Sequence, residues 1–192
     1  MSDNRKKHDR TTTTELFVKA RGHGTREVGD LVRRIHDRLF RFCVYLTGNI
    51  EEARDLSQEA YVKVLESLDT LENPNHFVSW LFTVTRNQFL DYVKSPRNKP
   101  KKPIDELENV LHVASGGKEW VANLCRQLDR LSPEDRYLLL LVCLEGHSHR
   151  EAAALVGSTE DAVKVKVHRL RKTFNRNDFF TGDVDPEKKK AG

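Results

Sequence analysis

Three prolines, Pro96, Pro100 and Pro103, crowd one short stretch together with Arg97, Lys99, Lys101 and Lys102 and no acidic residue. No helix runs through such a stretch. Each proline lacks the backbone donor, clashes with the preceding turn and pushes the residue before it away from helical geometry. On either side the apolar residues recur at helical spacing, with little strand-like alternation. The expected fold is therefore all-α: two small helical domains on a flexible basic linker. The polar residues 1–12 are expected to be a disordered tail. Residues 13–95 then make a first domain, 96–118 the linker, 119–174 a second domain and 175–192 a polar tail.

Composition narrows the function. The 192 residues are 38% hydrophobic and 32% charged, enough for modest cores. The formal net charge is only +4, so contact with nucleic acid has to come from local clustering of cations. No segment approaches the ~20 apolar residues of a membrane span. The first residues, MSDNRKKHDRTTTT, have no apolar core after their charges. A cytoplasmic protein without stable membrane insertion is expected. Cys43, Cys125 and Cys143 are odd in number and widely spaced, which suggests free buried thiols.

The most specific motif is SHREAAALVGSTEDAVKVKVHRLR, from Ser148 to Arg171. Ser148 and Glu151 have the spacing of a capping box. Ala152, Ala153 and Leu155 are compact enough for a second helix to approach. Gly157 suits the left-handed position past a helix end, and Thr159 can cap a second helix. In that second helix Val163, Val167, Leu170 and Phe174 share a face, because residues lie about 100° apart. Asp161, Lys164, Val165, His168, Arg169 and Lys172 share the other. This is the layout of a helix-turn-helix, whose second helix enters the major groove.

The first domain divides into helices by the same logic. A helix over Val28 to Leu46 buries Leu31, Ile35, Leu39, Phe42 and Cys43 and stops at Thr47-Gly48. Asn49 and Glu52 open a second, extending to about Leu71, with Ala53, Leu56, Ala60, Val64 and Leu68 inward. Its outer face carries Asp55, Gln58, Glu59 and Glu66 around an apolar Val62, which is either a scattered surface apolar residue, the commoner case on pattern alone, or the centre of a docking stripe with a polar rim. Asn73-Pro74-Asn75 is a turn. A third helix, from about Phe77 to Val93, is dense in aromatics, most of them core, with Arg86, Asn87 and Lys94 between them. A few exposed rings suffice to stack on unpaired bases. Ser132-Pro133 starts a further helix that ends at Gly146.

Taken together, LTGNIEEARDLSQEAYVKVLESL and FVSWLFTVTRNQFLDYVK resemble domain 2 of an extracytoplasmic-function sigma factor of bacterial RNA polymerase. LSPEDRYLLLLVCLEGHSHREAAALVG with STEDAVKVKVHRLRK resembles its domain 4. The resemblance covers about Glu15 to Phe174. It implies a subunit that directs polymerase core to promoters and has no enzymatic activity or cofactor of its own. By the same resemblance, Asp55, Gln58, Glu59 and Val62 bind the β′ clamp helices, and the face from Ser132 to Leu144 sits on the β flap. Asn73, Asn75, His76, Trp80, Arg86 and Asn87 fall where the family melts and reads the minus-ten element. Thr159, Glu160, Asp161, Lys164, Val165, His168, Arg169, Arg171 and Lys172 fall where it reads the minus-thirty-five element. Association with the nucleoid through polymerase is implied, as is control by an anti-sigma factor. Three departures stand out: the loop at 73–76 differs from the common family forms, Ser158 replaces the usual apolar turn residue, and Glu160-Asp161 place acids at the start of the reading helix. Acids there suit the helix dipole yet repel phosphate; they can accept a hydrogen bond from cytosine.

The competing assignment is a transcriptional regulator that binds duplex DNA through its second domain and is not a polymerase subunit. An enzyme fits less well. Cys143, His147 and His149 lack a convincing fourth metal ligand, and no nucleophile triad, phosphate loop or paired-carboxylate site is evident.

Overall fold

A computed structural model describes residues 13–21, 25–94 and 117–173. Among them every regular element is helical. The tail expected at 1–12, the linker stretch from 95 to 116, Phe174 and the tail beyond lie outside the described residues. The described residues divide into two compact units: 13–43 with 51–94, and 44–50 with 117–173.

The first unit opens with helix α1 (13–20), which buries Phe17 and Ala20. Helix α2 (Thr25–Thr47) begins earlier than Val28, and its stripe of Leu31, Ile35, Leu39, Phe42 and Cys43 is buried as its spacing requires. Helix α3 (Ile50–Ser67) buries Ala53, Leu56, Ala60 and Val64. It stops a turn short of Leu71. The Leu71 amide still reaches back to the Ser67 carbonyl, 3.0 Å. The Leu68 carbonyl instead accepts from Arg21 Nε at 2.8 Å, and those of Asp69 and Leu71 accept from Arg21 Nη2. A cation from 47 residues upstream thus takes over carbonyls that a continuing helix would have used.

The segment 73–76 is a single 3₁₀ turn, Pro74–His76, capped by Asn73. Helix α4 (Phe77–Lys94) comes directly after it and buries Phe77, Leu81, Phe82, Thr85 and Phe89. Phe42 meets Phe82 edge to face, centroids 4.9 Å apart, a favoured aromatic geometry.

In the second unit, helix α5 (Gly117–Leu128) precedes α6 (Pro133–Cys143), capped by the Ser132 hydroxyl, which accepts the Asp135 N–H at 3.2 Å. Every residue from Arg136 to Val142 is buried. The Arg136 guanidinium donates to the Leu128 carbonyl at 2.9 Å and pairs with Asp129 at 3.0 Å. Burial pulls its pKa down, and Asp129 works against that. Helices α7 (His149–Val156) and α8 (Glu160–Thr173) pack on α6 and on each other.

Candidate nucleic-acid interface

The turn between α7 and α8 is built from local chemistry. The Ser148 hydroxyl accepts the Glu151 N–H at 3.2 Å, and Glu151 Oε2 accepts the Ser148 N–H at 2.9 Å, a complete capping box. Gly157 ends α7 with φ 69° and ψ 42°, left-handed geometry that costs glycine little. The Thr159 hydroxyl accepts the Ala162 N–H at 3.3 Å and starts α8. Ala152 and Ala153 are buried against the neighbouring helices, while Leu155 is only half-buried. Ser158 is exposed, so its replacement of an apolar residue leaves no hydroxyl in the core.

Val163, Val167 and Leu170 hold α8 to its own unit. Lys166 Nζ pairs with Asp135 Oδ1 at 2.5 Å and adds a second tie to α6. Thr159, Glu160, Asp161, Lys164, Val165, His168, Arg169 and Lys172 are all exposed. Asp161, Val165, His168 and Lys172 trace one line along the helix, flanked by Lys164 and Arg169. Arg171 sits at the edge of that surface. It is half-buried, and its Nε donates to Cys143 Sγ at 3.4 Å. Burial pushes the Cys143 thiol up, and Arg171 opposes the shift.

Cys143 is half-buried rather than fully buried, while Cys43 and Cys125 are buried; no disulfide joins any of the three. His147 is buried with Nδ1 3.9 Å from Glu151 Oε2. Among the described residues no group of three His, Cys, Asp or Glu side chains is placed to hold a metal.

The first unit carries two further surfaces. On α3, Asp55, Gln58, Glu59 and Val62 are exposed on one face, Val62 at 51%. Leu65, 50% exposed and one turn on, extends the apolar centre. Its position three residues after Val62 could have revealed it in the sequence. On the opposite flank Tyr61 donates to or accepts from His36 Nδ1 at 2.9 Å.

The aromatic set of α4 splits. Phe77, Phe82 and Phe89 are core; Trp80 and Tyr92 are half-exposed. Trp80 stacks beside Phe77, centroids 6.2 Å apart. Asn87, exposed, lies two turns along the same line as Trp80, whereas Arg86 is half-buried about 100° away. Asn75 and His76 are exposed. Asn73 is exposed too, but its Oδ1 accepts the Asn75 N–H at 3.0 Å, which makes it the brace of the turn. Along α6 only Ser132 and Glu134 are fully exposed from 132 to 142, so little of the stretch assigned to the β flap is open.

Two family models match in chain order: Sigma-70 region 2 over residues 31–98 and Sigma-70 region 4 over residues 123–174. The chain belongs to the extracytoplasmic-function sigma factors. It is 33% identical to the ECF RNA polymerase sigma factor SigE of Mycolicibacterium smegmatis over 74% of its own length and 58% of that protein. It is 27% identical to the ECF RNA polymerase sigma factor EcfG of Rhodopseudomonas palustris, over 75% and 81%. The chain therefore spans little more than half of the first relative and most of the second. In fold this sigma factor matches CnrH, solved in complex with the cytosolic domain of CnrY. The TM-score is 0.64 and the identity 24%, over 83% of this chain and 92% of that one. It also matches RpoE of Bartonella quintana, solved with the anti-sigma factor NepR, with TM-score 0.59 and 23% identity over 76% and 92%. The helix-turn-helix of the sequence is region 4, and the aromatic helix belongs to region 2. Among the described residues no helix is long and apolar enough to cross a membrane.

Proposed function

We propose that the chain is a non-enzymatic promoter-recognition subunit of RNA polymerase. It docks on core through the α3 face of Asp55, Gln58, Glu59 and Val62. It captures unpaired minus-ten bases with the turn at 73–76 and the Trp80–Asn87 line of α4. It reads the upstream element through α8, in the cytoplasm and on the nucleoid. A partner that covers these surfaces, as an anti-sigma factor, regulates it.

The observation that carries this assignment is the pair of exposed apolar residues Val62 and Leu65 inside a polar rim on α3. A regulator that needs only duplex DNA has no use for an unpartnered apolar strip on its other unit. The test is co-elution with core polymerase and promoter-specific run-off transcription. Val62→Asp is expected to weaken core binding at least tenfold with the helical circular dichroism unchanged. Equal affinity of variant and parent rejects α3 as the docking surface, and transcription that gains nothing from the chain rejects the function.

A further inference from the structure

Four large apolar side chains are at least half exposed among the described residues: Val18, Val62, Leu65 and Val165. Val165 is the only one of them in the second unit, and it stands in the middle of the charged face of α8. Asp161 precedes it by one turn, Arg169 comes one turn later, and Lys164 and His168 flank it, all exposed. The helix does not need it for packing, because Val163, Val167 and Leu170 already fill the interface with α6 and α7. A β-branched residue at an exposed helical position is also a poorer helix former than Lys, Glu or Ala.

A solvated surface gives such a side chain nothing to touch; a major groove does. Among the groups that base pairs present there, donors and acceptors dominate, and the one apolar group is the thymine C5-methyl. Cations around Val165 match phosphates on either side of the groove floor. We infer that Val165 selects a thymine in the upstream promoter element by packing its γ-methyls against the base methyl. Val165 acts this way only if α8 enters the groove as proposed above. It is thus a specificity-determining residue, distinct from the cations that position the helix.

The full chain, assembled with RNA polymerase core, is used to select duplexes from a pool randomised over the upstream element. The most enriched duplex is then remade with each thymine replaced in turn by deoxyuridine, which lacks only the methyl. At one position the replacement is expected to weaken holoenzyme binding about fourfold, the worth of one buried methyl group. With Val165→Ala the same replacement is expected to have no effect. An enriched element in which no thymine responds, or one in which parent and variant lose affinity equally, overturns the thymine contact and leaves promoter recognition standing. Enrichment of no duplex at all overturns both.

Discussion

The ring of Phe17 lies stacked on the ring of Phe77, centroids 4.6 Å apart and planes 28° from parallel. Phe77 is the first residue of α4, and Phe17 belongs to α1, ahead of the residues that match Sigma-70 region 2. Arg21, at the end of the same short helix, holds the carbonyls of Leu68, Asp69 and Leu71 just before the capped turn. Both flanks of the capped turn at 73–76 are thus fastened from α1 and the residue after it.

Phe17→Ala removes a fully buried ring and leaves a cavity under the start of α4. The expected loss is about 3–5 kcal/mol of stability in the first unit. Chemical denaturation monitored by circular dichroism measures it. Promoter opening, read by permanganate reactivity of unpaired thymines, should fall more than binding of closed duplex. An unchanged denaturation midpoint would show that α1 is ornamental to the fold.

Gly157 has open space where a Cβ would go, so substitution there tests backbone geometry alone. Gly157→Ala is expected to cost about 1–2 kcal/mol because its φ is left-handed, and Gly157→Asn less, since Asn tolerates that region. Thermal melting of the two variants gives the order. If Ala and Asn prove equal, the turn has relaxed to another conformation.

The Cys143 thiol titrates above the ordinary thiol range because it is buried, with Arg171 pulling the other way. Only the thiolate is reactive, so alkylation by iodoacetamide should be slow at neutral pH and accelerate only as the pH climbs past the usual thiol range. Arg171→Ala removes the opposing charge but also opens the site, so the informative quantity is the midpoint of the pH–rate curve. It should move upward. A midpoint at or below that of free cysteine would contradict the burial of Cys143.

Much of the fold and of the candidate site is legible in the sequence because the signals are local. The α8 stripe comes from its 3.6-residue period, the α7–α8 turn from Ser148, Glu151 and Gly157, and the start of α6 from Ser132-Pro133. Val62 is visible as an apolar residue among acids. What escapes is long-range. Nothing near Leu68 announces that a guanidinium from residue 21 will satisfy its carbonyl, so the end of α3 reads a turn too late. The even burial of Arg136 through Val142 likewise depends on what surrounds α6, and the sequence itself marks only where that helix starts. Nothing near Arg171 in the sequence announces its contact with Cys143, 28 residues upstream.

The acids at the start of α8 also set how this domain responds to salt. Of the five lysines and arginines of α8, Lys166 is held by Asp135 and Arg171 donates to Cys143, which leaves Lys164, Arg169 and Lys172 most open to phosphate. Each phosphate neutralised contributes about −0.9 to the slope of log affinity against log salt, so three contacts give a slope of only about −3. Glu160 and Asp161 reduce the non-specific attraction further. A helix face with so few counterions to release is expected to add little non-specific affinity for duplex DNA, which a salt titration of the Lys164→Ala, Arg169→Ala and Lys172→Ala variants would measure.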